Sequence, residues 1–277
     1  MSMNTIYRTL AGVAAIGALS LAGFASLASA NHAWGNYHWA RTTPTFTLNL
    51  GDNVSSTWDS YLNAASVDWT ASSVLDTQVV AGSGARNCRP TAGRVEVCAS
   101  KYGNNGWLGI ASIWISGSHI TQGTVKMNDT YFNTTTYNKP SWRQMVLCQE
   151  VGHTFGLGHQ DEGFYNGNLG SCMDYTNDPA RNDGLGNNLH PNAHDFSMLE
   201  SIYAHLDAIT TIFQGTVAAK GKAALDDDSD NTPAAWGKEV SRSANGHASV
   251  YEKDFGNGEK VLRHVFWAEP RSGKADK

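Results

Sequence analysis

The stretch Cys148–Gln160 reads CQEVGHTFGLGHQ and holds two histidines, His153 and His159, with Glu150 three residues before the first. Imidazole nitrogens are good zinc ligands, and a carboxylate beside such a ligand can take a proton from a water that the metal activates. On a helix, positions i and i+4 project from one face, so Gln149 and His153 can reach one ion while Glu150 stands beside them. Gly156 can take the left-handed conformation that ends a helix, which turns the chain back and delivers His159 to the same ion. The chemistry on offer is metal-assisted hydrolysis, with His153, His159 and Gln149 as the ligand set. Gln149 is its weak member, because a neutral amide oxygen binds zinc less well than imidazole does. Tyr175, Asp161, His190 and His194 are the side chains that could compensate. The last two sit in LHPNAHD, which reads first as a helix cap.

The elements that must position these residues are legible as periodicities. TFTLNL alternates Phe46, Leu48 and Leu50 with polar neighbours, the period of a half-buried strand. Trp58, Tyr61, Leu62, Ala65 and Trp69 then recur at helical steps after an Asn53 cap. SVLDTQVVAG, GRVEVCAS, GWLGIASIWISG and GTVKMND follow as strands, each rich in β-formers and bounded by Gly, Asn or Ser. From Pro140, the residues Trp142, Met145, Val146, Gln149 and His153 fall on one stripe, so the motif ends the inner face of a second helix. The Gly- and Asn-rich stretch from Asp161 to about Asp195 has no periodicity and reads as a functional loop. DFSMLESIYAHLDAI reads as a third helix with Phe196, Leu199, Tyr203 and Leu206 on its apolar face.

Composition sets the compartment. A hydrophobic share of 41% over 277 residues supports a real core, and a net charge of −5 without a basic stripe excludes a nucleic-acid partner. Residues 1–30 combine Arg8, an apolar run from Leu10 to about Ala25 and the small-residue end ASLASA, the pattern of a signal peptide cleaved after Ala30. The run is shorter than the roughly 20 residues of a membrane span, so a secreted monomer free of the membrane is expected. Four cysteines in an exported chain read as two disulfides, and proximity pairs Cys88 with Cys98 and Cys148 with Cys172. The alternative of Cys148 as a metal ligand meets a geometric obstacle: five residues separate it from His153, which points the two to different helix faces. Residues 214–240 read as a linker or surface excursion, acidic at Asp226, Asp227 and Asp228. Residues 241–277, with two β-prone runs around GNG, read as a small C-terminal β-hairpin appendage. A calcium site in the Asp- and Asn-rich loop 161–187 is an open alternative without a repeated ligand spacing.

QEVGHTFGLGH resembles the metzincin signature H-E-x-x-H-x-x-G-x-x-H, matched at Glu150, His153, Gly156 and His159 and departing from it at Gln149. SCMDY adds Met173, which looks like the methionine of the family's Met-turn, and Tyr175, where metzincins similar to astacin and serralysin carry a tyrosine near the metal. The resemblance covers residues 42–213 and implies an α+β fold: a twisted, mostly parallel sheet with an antiparallel edge strand, an active-site helix and a C-terminal helix, in a catalytic domain spanning 31–213. It implies one zinc ion, a peptide or protein substrate, and a secreted endopeptidase. Glu150 would be the general base, and Tyr175 would hydrogen-bond the oxyanion or coordinate resting zinc. By the same resemblance, GTVKMND is the edge strand to which an extended peptide adds. The alternative is a metzincin-like fold that no longer hydrolyses and holds peptides or serves as a scaffold. The retained Glu150 favours the enzyme.

Overall fold

Alternation in TFTLNL becomes β2 (Phe46–Asn53), which buries Phe46, Leu48 and Leu50 and leaves Thr47 in solvent. The computed structural model describes residues 32–84, 87–213 and 231–268; the expected leader over 1–30, residues 214–230 and residues 269–277 lie outside the described residues. A two-residue strand that the periodicity did not predict, β1 (His38–Trp39), precedes β2. α1 (Asp59–Thr70) starts after Trp58 rather than at Asn53, because Asn53 ends β2 and its amide donates to Glu96 Oε2 at 2.6 Å. Then come β3 (Leu75–Ala81), β4 (Val95–Ser100), β5 (Trp107–Ser116), β6 (His119–Asn128), the single turn α2 (Asp129–Phe132) and α3 (Pro140–His153). LHPNAHD does cap the next helix: Asn192 and Asp195 form a capping box that opens α4 (Ala193–Ile202). α4 is shorter than expected, and Leu206 lies past its end, exposed. The chain closes with β7 (Lys238–Arg242), β8 (Ala248–Gly256) and β9 (Glu259–Trp267). Among the described residues no helix is long and apolar enough to cross a membrane.

The strands form one mixed sheet of order β3-β2-β4-β6-β5-β9-β8-β7, with β1 pairing the start of β6. β2, β3, β4 and β6 run parallel, whereas β5, β9, β8 and β7 pair antiparallel. The mixed sheet agrees with the expected α+β layout, but it is not mostly parallel, since β5, β9, β8 and β7 form an antiparallel half, and three further expectations are corrected. β5 is not an edge strand, because β9 pairs along its length from Trp107↔Trp267 to Ser116↔Glu259. GTVKMND is not an edge either: it belongs to β6, buried between β4 and β5, and the sheet's edges are β3 and β7. The C-terminal hairpin is not an appendage. Its turn forms at GNG as expected, with Asn257 left-handed at φ 55°, but β9 is buried from Val261 through Trp267 in the sheet against which the motif helix packs.

The physical reason is apolar area. Val261, Leu262, Val265, Phe266 and Trp267 would each forgo about 1.5–3 kcal/mol of burial if the hairpin stood free. On one face Phe266 joins the main core, edge-on to Trp142 with ring centroids 6.2 Å apart. On the other, Val265 and Trp267 pack with Trp107, Ile110, Tyr251 and Trp236. Trp236 therefore anchors the end of the segment expected to be a linker, and from residue 231 onward that segment is part of the fold.

α3 lies at the centre, buried without interruption from Trp142 to His153. α1 packs beside it, and Trp69 Nε1 donates to the Cys148 carbonyl at 3.1 Å. Both expected disulfides are present, Cys88–Cys98 and Cys148–Cys172, and the second ties α3 to the segment preceding Met173.

Candidate metal centre

His153 is the last residue of α3, and Gly152 before it is the point of closest packing. A Cβ there would stand 2.6 Å from Met173 Sδ and 2.7 Å from Trp69 Cζ2, so the methionine and the tryptophan press directly on the helix backbone. After Thr154 the chain reverses at Gly156, whose φ of +95° lies in the left-handed region as the sequence predicts. The reversal brings His159 back, its ring centroid 4.7 Å from that of His153. His153 Nδ1 donates to the Leu157 carbonyl at 2.8 Å, and His159 Nδ1 donates to Glu162 Oε1 at 3.0 Å. Each ring thus has its proton placed on Nδ1, and the two Nε2 atoms face each other at 3.0 Å.

The third member comes from the far end of the chain. His264 on β9 stands in register with Ala111 of β5, its ring 4.0 Å from that of His153 and 4.7 Å from that of His159. One nitrogen from each of His153, His159 and His264 lies within 4.8 Å of the others. His264 Nδ1 donates to Glu150 Oε2 at 3.0 Å, and the Tyr175 hydroxyl meets His264 Nε2 at 3.0 Å. Tyr175 is stacked on Phe266, ring centroids 4.5 Å apart, so β9 positions both the histidine and the tyrosine.

Burial dominates the electrostatics. It holds His153 well below the usual histidine range, with His159 reinforcing the effect and the Leu157 carbonyl opposing it. It does the same to His264, with His153 and His159 adding to it. Neutral imidazoles are the form that ligates a metal. With both Nδ1 atoms turned to oxygen partners, the Nε2 atoms of His153 and His159 face each other at 3.0 Å, an arrangement that a cation held between them suits. Burial also pushes the Glu150 carboxyl well above the usual range, against the Ala111 N–H. Glu150 Oε1 is buried and has no partner of normal hydrogen-bond geometry. The residues therefore fit a zinc ion: imidazole donors, each with its second nitrogen held by an oxygen.

Gln149 behaves differently from its place in the motif. Its Nε2 donates to the Cys172 carbonyl at 2.8 Å, and its Oε1, fully buried, has no hydrogen-bond partner. The other compensating side chains are elsewhere. His190 Nδ1 pairs with Asp68 at 2.6 Å, His194 stacks on His32, and Asp161 Oδ2 accepts from Asn166 Nδ2. Two carboxylates of the loop 161–187 bind neighbouring chain: Asp174 Oδ2 accepts from Leu169 N and Asn188, and Asp183 Oδ2 accepts from Asn168 N. His264 escaped the sequence analysis. Its signal was a histidine inside the apolar run VLRHVFW, with no spacing that relates it to a motif more than a hundred residues away.

No protein-family model matches the chain, and no curated protein matches it. Solved structures similar to it include High choriolytic enzyme 1, a hatching enzyme zinc-protease from Oryzias latipes (Medaka fish), at 10% identity and a TM-score of 0.32 over 60% of this chain and 94% of that one. Another is myroilysin, at 12% identity and a TM-score of 0.31 over 65% of this chain and 97% of that one. At these values the function has to be read from the site itself.

Proposed function

We propose that the protein is a secreted zinc-dependent peptidase of metzincin type in which His264, rather than Gln149, supplies the third imidazole beside His153 and His159. The observation that carries this reading is the convergence of the three rings on a point flanked by Glu150 and Tyr175. Zinc held there would polarise a peptide carbonyl and lower the pKa of a water. Glu150 has two oxygens with separate duties. Oε2 accepts the Nδ1 proton of His264 and fixes that ring's tautomer, the carboxylate–histidine relation common behind zinc ligands. Oε1, unpartnered, takes the proton of the attacking water and passes it to the leaving amine. Tyr175 O–H is the donor nearest the ligand set and is placed to hydrogen-bond the developing oxyanion. Gln149 becomes a structural tie that, together with the Cys148–Cys172 disulfide, holds α3 to the turn bearing Met173. That turn takes the part of the Met-turn.

A second reading is favoured by one observation, the closure of the site. Glu150, His153, Tyr175 and His264 are all buried, and GTVKMND, the strand to which a peptide was expected to add, is flanked on both sides by β4 and β5. A protein that kept this closure would bind zinc without hydrolysing peptides. Zinc content and chelator-sensitive cleavage of an unstructured protein, measured on the purified chain, separate the two. The peptidase reading expects both, with cleavage lost in Glu150→Gln. Zinc without cleavage supports the second reading. Cleavage that survives in Glu150→Gln refutes the assignment of the base.

A further inference from the structure

A second convergence of imidazoles shares no residue with the first. His38 begins β1 and His119 begins β6, and the parallel register sets them side by side. His205 and Asp207 arrive from the segment after α4. Asp207 is held in place by the backbone of Arg41: its N–H donates to the Arg41 carbonyl at 2.8 Å, and Arg41 N–H donates to its Oδ2 at 3.0 Å. With Oδ2 occupied, Oδ1 faces three imidazole nitrogens, His119 Nε2 at 3.1 Å, His38 Nε2 at 3.4 Å and His205 Nε2 at 3.7 Å. His205 Nε2 also lies 3.2 Å from His38 Nε2. The rings stand nearly perpendicular, His38 at 87° to His119 and 81° to His205.

His38 Nδ1 lies 2.9 Å from the Asn36 carbonyl, which can only accept, so that nitrogen is held as a donor and Nε2 is turned into the cluster. One nitrogen each of His38 and His205 and a carboxylate oxygen of Asp207 lie within 4.8 Å of one another, close enough for a single divalent cation to take all three as ligands. Zinc bound to nitrogen and oxygen at about 2.0–2.1 Å in tetrahedral geometry separates its ligand atoms by roughly 3.3 Å. The four separations here run from 3.1 to 3.7 Å around that value, and the two longest exceed the usual hydrogen-bond length. The Asn36 carbonyl behind His38 and the Arg41 N–H behind Asp207 are the outer contacts that orient metal ligands.

We propose that His38, His205 and Asp207, with His119 as fourth donor, form a structural site for a divalent ion of the zinc class. With His119, 3.1 Å from Asp207 Oδ1, as fourth donor beside these three, protein atoms would fill the coordination sphere, which suits a staple rather than a catalyst. The staple joins the N-terminal strand β1 and its neighbour β6 to the chain that leaves α4, at a sequence separation of 169 between His38 and Asp207. The proposal stands independently of the peptidase reading.

The test uses metal-stripped full-length chain, zinc alone as probe, and elemental analysis of the protein after gel filtration. In a His264→Ala background, which weakens the first centre, the protein is expected to retain one zinc per chain and to melt at a higher temperature with zinc than without. Adding His205→Ala, a half-exposed side chain whose loss leaves the core intact, is expected to remove both the zinc and the thermal shift. Asp207→Asn keeps an acceptor for Arg41 N–H and is expected to do the same, which separates loss of a ligand from loss of a fold. Zinc content unchanged by both variants, or no zinc retained before either is introduced, overturns the proposal.

Discussion

Truncating His264 to alanine probes the reading of the metal centre most directly. His264 is one of three converging imidazoles, and it also holds Glu150 Oε2 and the Tyr175 hydroxyl. Losing an outer-shell partner of a metal ligand typically costs 10–100-fold in affinity, and losing a nitrogen that itself binds should exceed that. The expected loss is at least about 100-fold in zinc affinity, roughly 2.7 kcal/mol. The same change strands two buried polar groups, each at about 1–3 kcal/mol of folding stability. Binding and folding must therefore be read separately. Competition against a chromophoric zinc chelator gives the affinity, in a His205→Ala background so that only this centre is seen, and urea unfolding of metal-free protein gives the stability. Gln149→Ala is the counterpart: if His264 is the third imidazole and Gln149 serves through the bond from its Nε2 to the Cys172 carbonyl, the change should alter affinity by less than about tenfold. If Gln149→Ala loses the metal while His264→Ala keeps the parent affinity within threefold, the assignment of the third ligand is refuted.

Four further outcomes follow from named contacts. Glu150→Gln, assayed with zinc in excess, should keep the metal yet lower peptide hydrolysis by about 10²–10⁴, the contribution of a positioned general base; full activity in that variant would remove Glu150 from the chemistry. Gly152→Ala drives a methyl into Met173 Sδ and Trp69 and should destabilise the fold by about 1–3 kcal/mol in urea titration, whereas an unchanged midpoint would mean that the packing under α3 gives way freely. Replacing Cys148 and Cys172 together by serine opens a loop of sequence separation 24 and should cost about 3 kcal/mol, read from the same titration without reductant. His247, stacked on Phe164 at 3.7 Å, has its pKa lowered from 6.5 by burial, the Trp267 carbonyl opposing. The unfolded chain therefore takes the proton first, and stability present above pH 6.5 is lost as the pH falls toward the folded-state value. Urea midpoints at pH 7.5 and 5.5 should differ less in His247→Gln than in the parent.

The centre of the fold was legible because its information is local. Pro140 to His153 carries a helical stripe with proline at its start, Gly156 permits the left-handed reversal, and one short turn of chain brings His159 back to His153. The strands from TFTLNL to GTVKMND were legible for the same reason, and so were the disulfides, whose partners lie 10 and 24 residues apart. The short β1 was not, since a two-residue strand has no period to read. The C-terminal hairpin itself was visible at GNG, but its destination was not, because a hairpin's pattern says that one face is apolar and not which strand it will cover.

By itself, then, the sequence determined a helix bearing two imidazoles and a carboxylate, a reversal at glycine, and a departure at Gln149 that left one ligand in doubt. Only the tertiary structure decided which side chains meet there. Antiparallel pairing of β9 with β5 sets His264 opposite Ala111, beside Glu150, while Gln149 Nε2 donates to the Cys172 carbonyl. A metal site needs donors within a few ångströms of one point, and such proximity arises from strand register and buried area between distant segments, neither of which is written in the spacing of a motif.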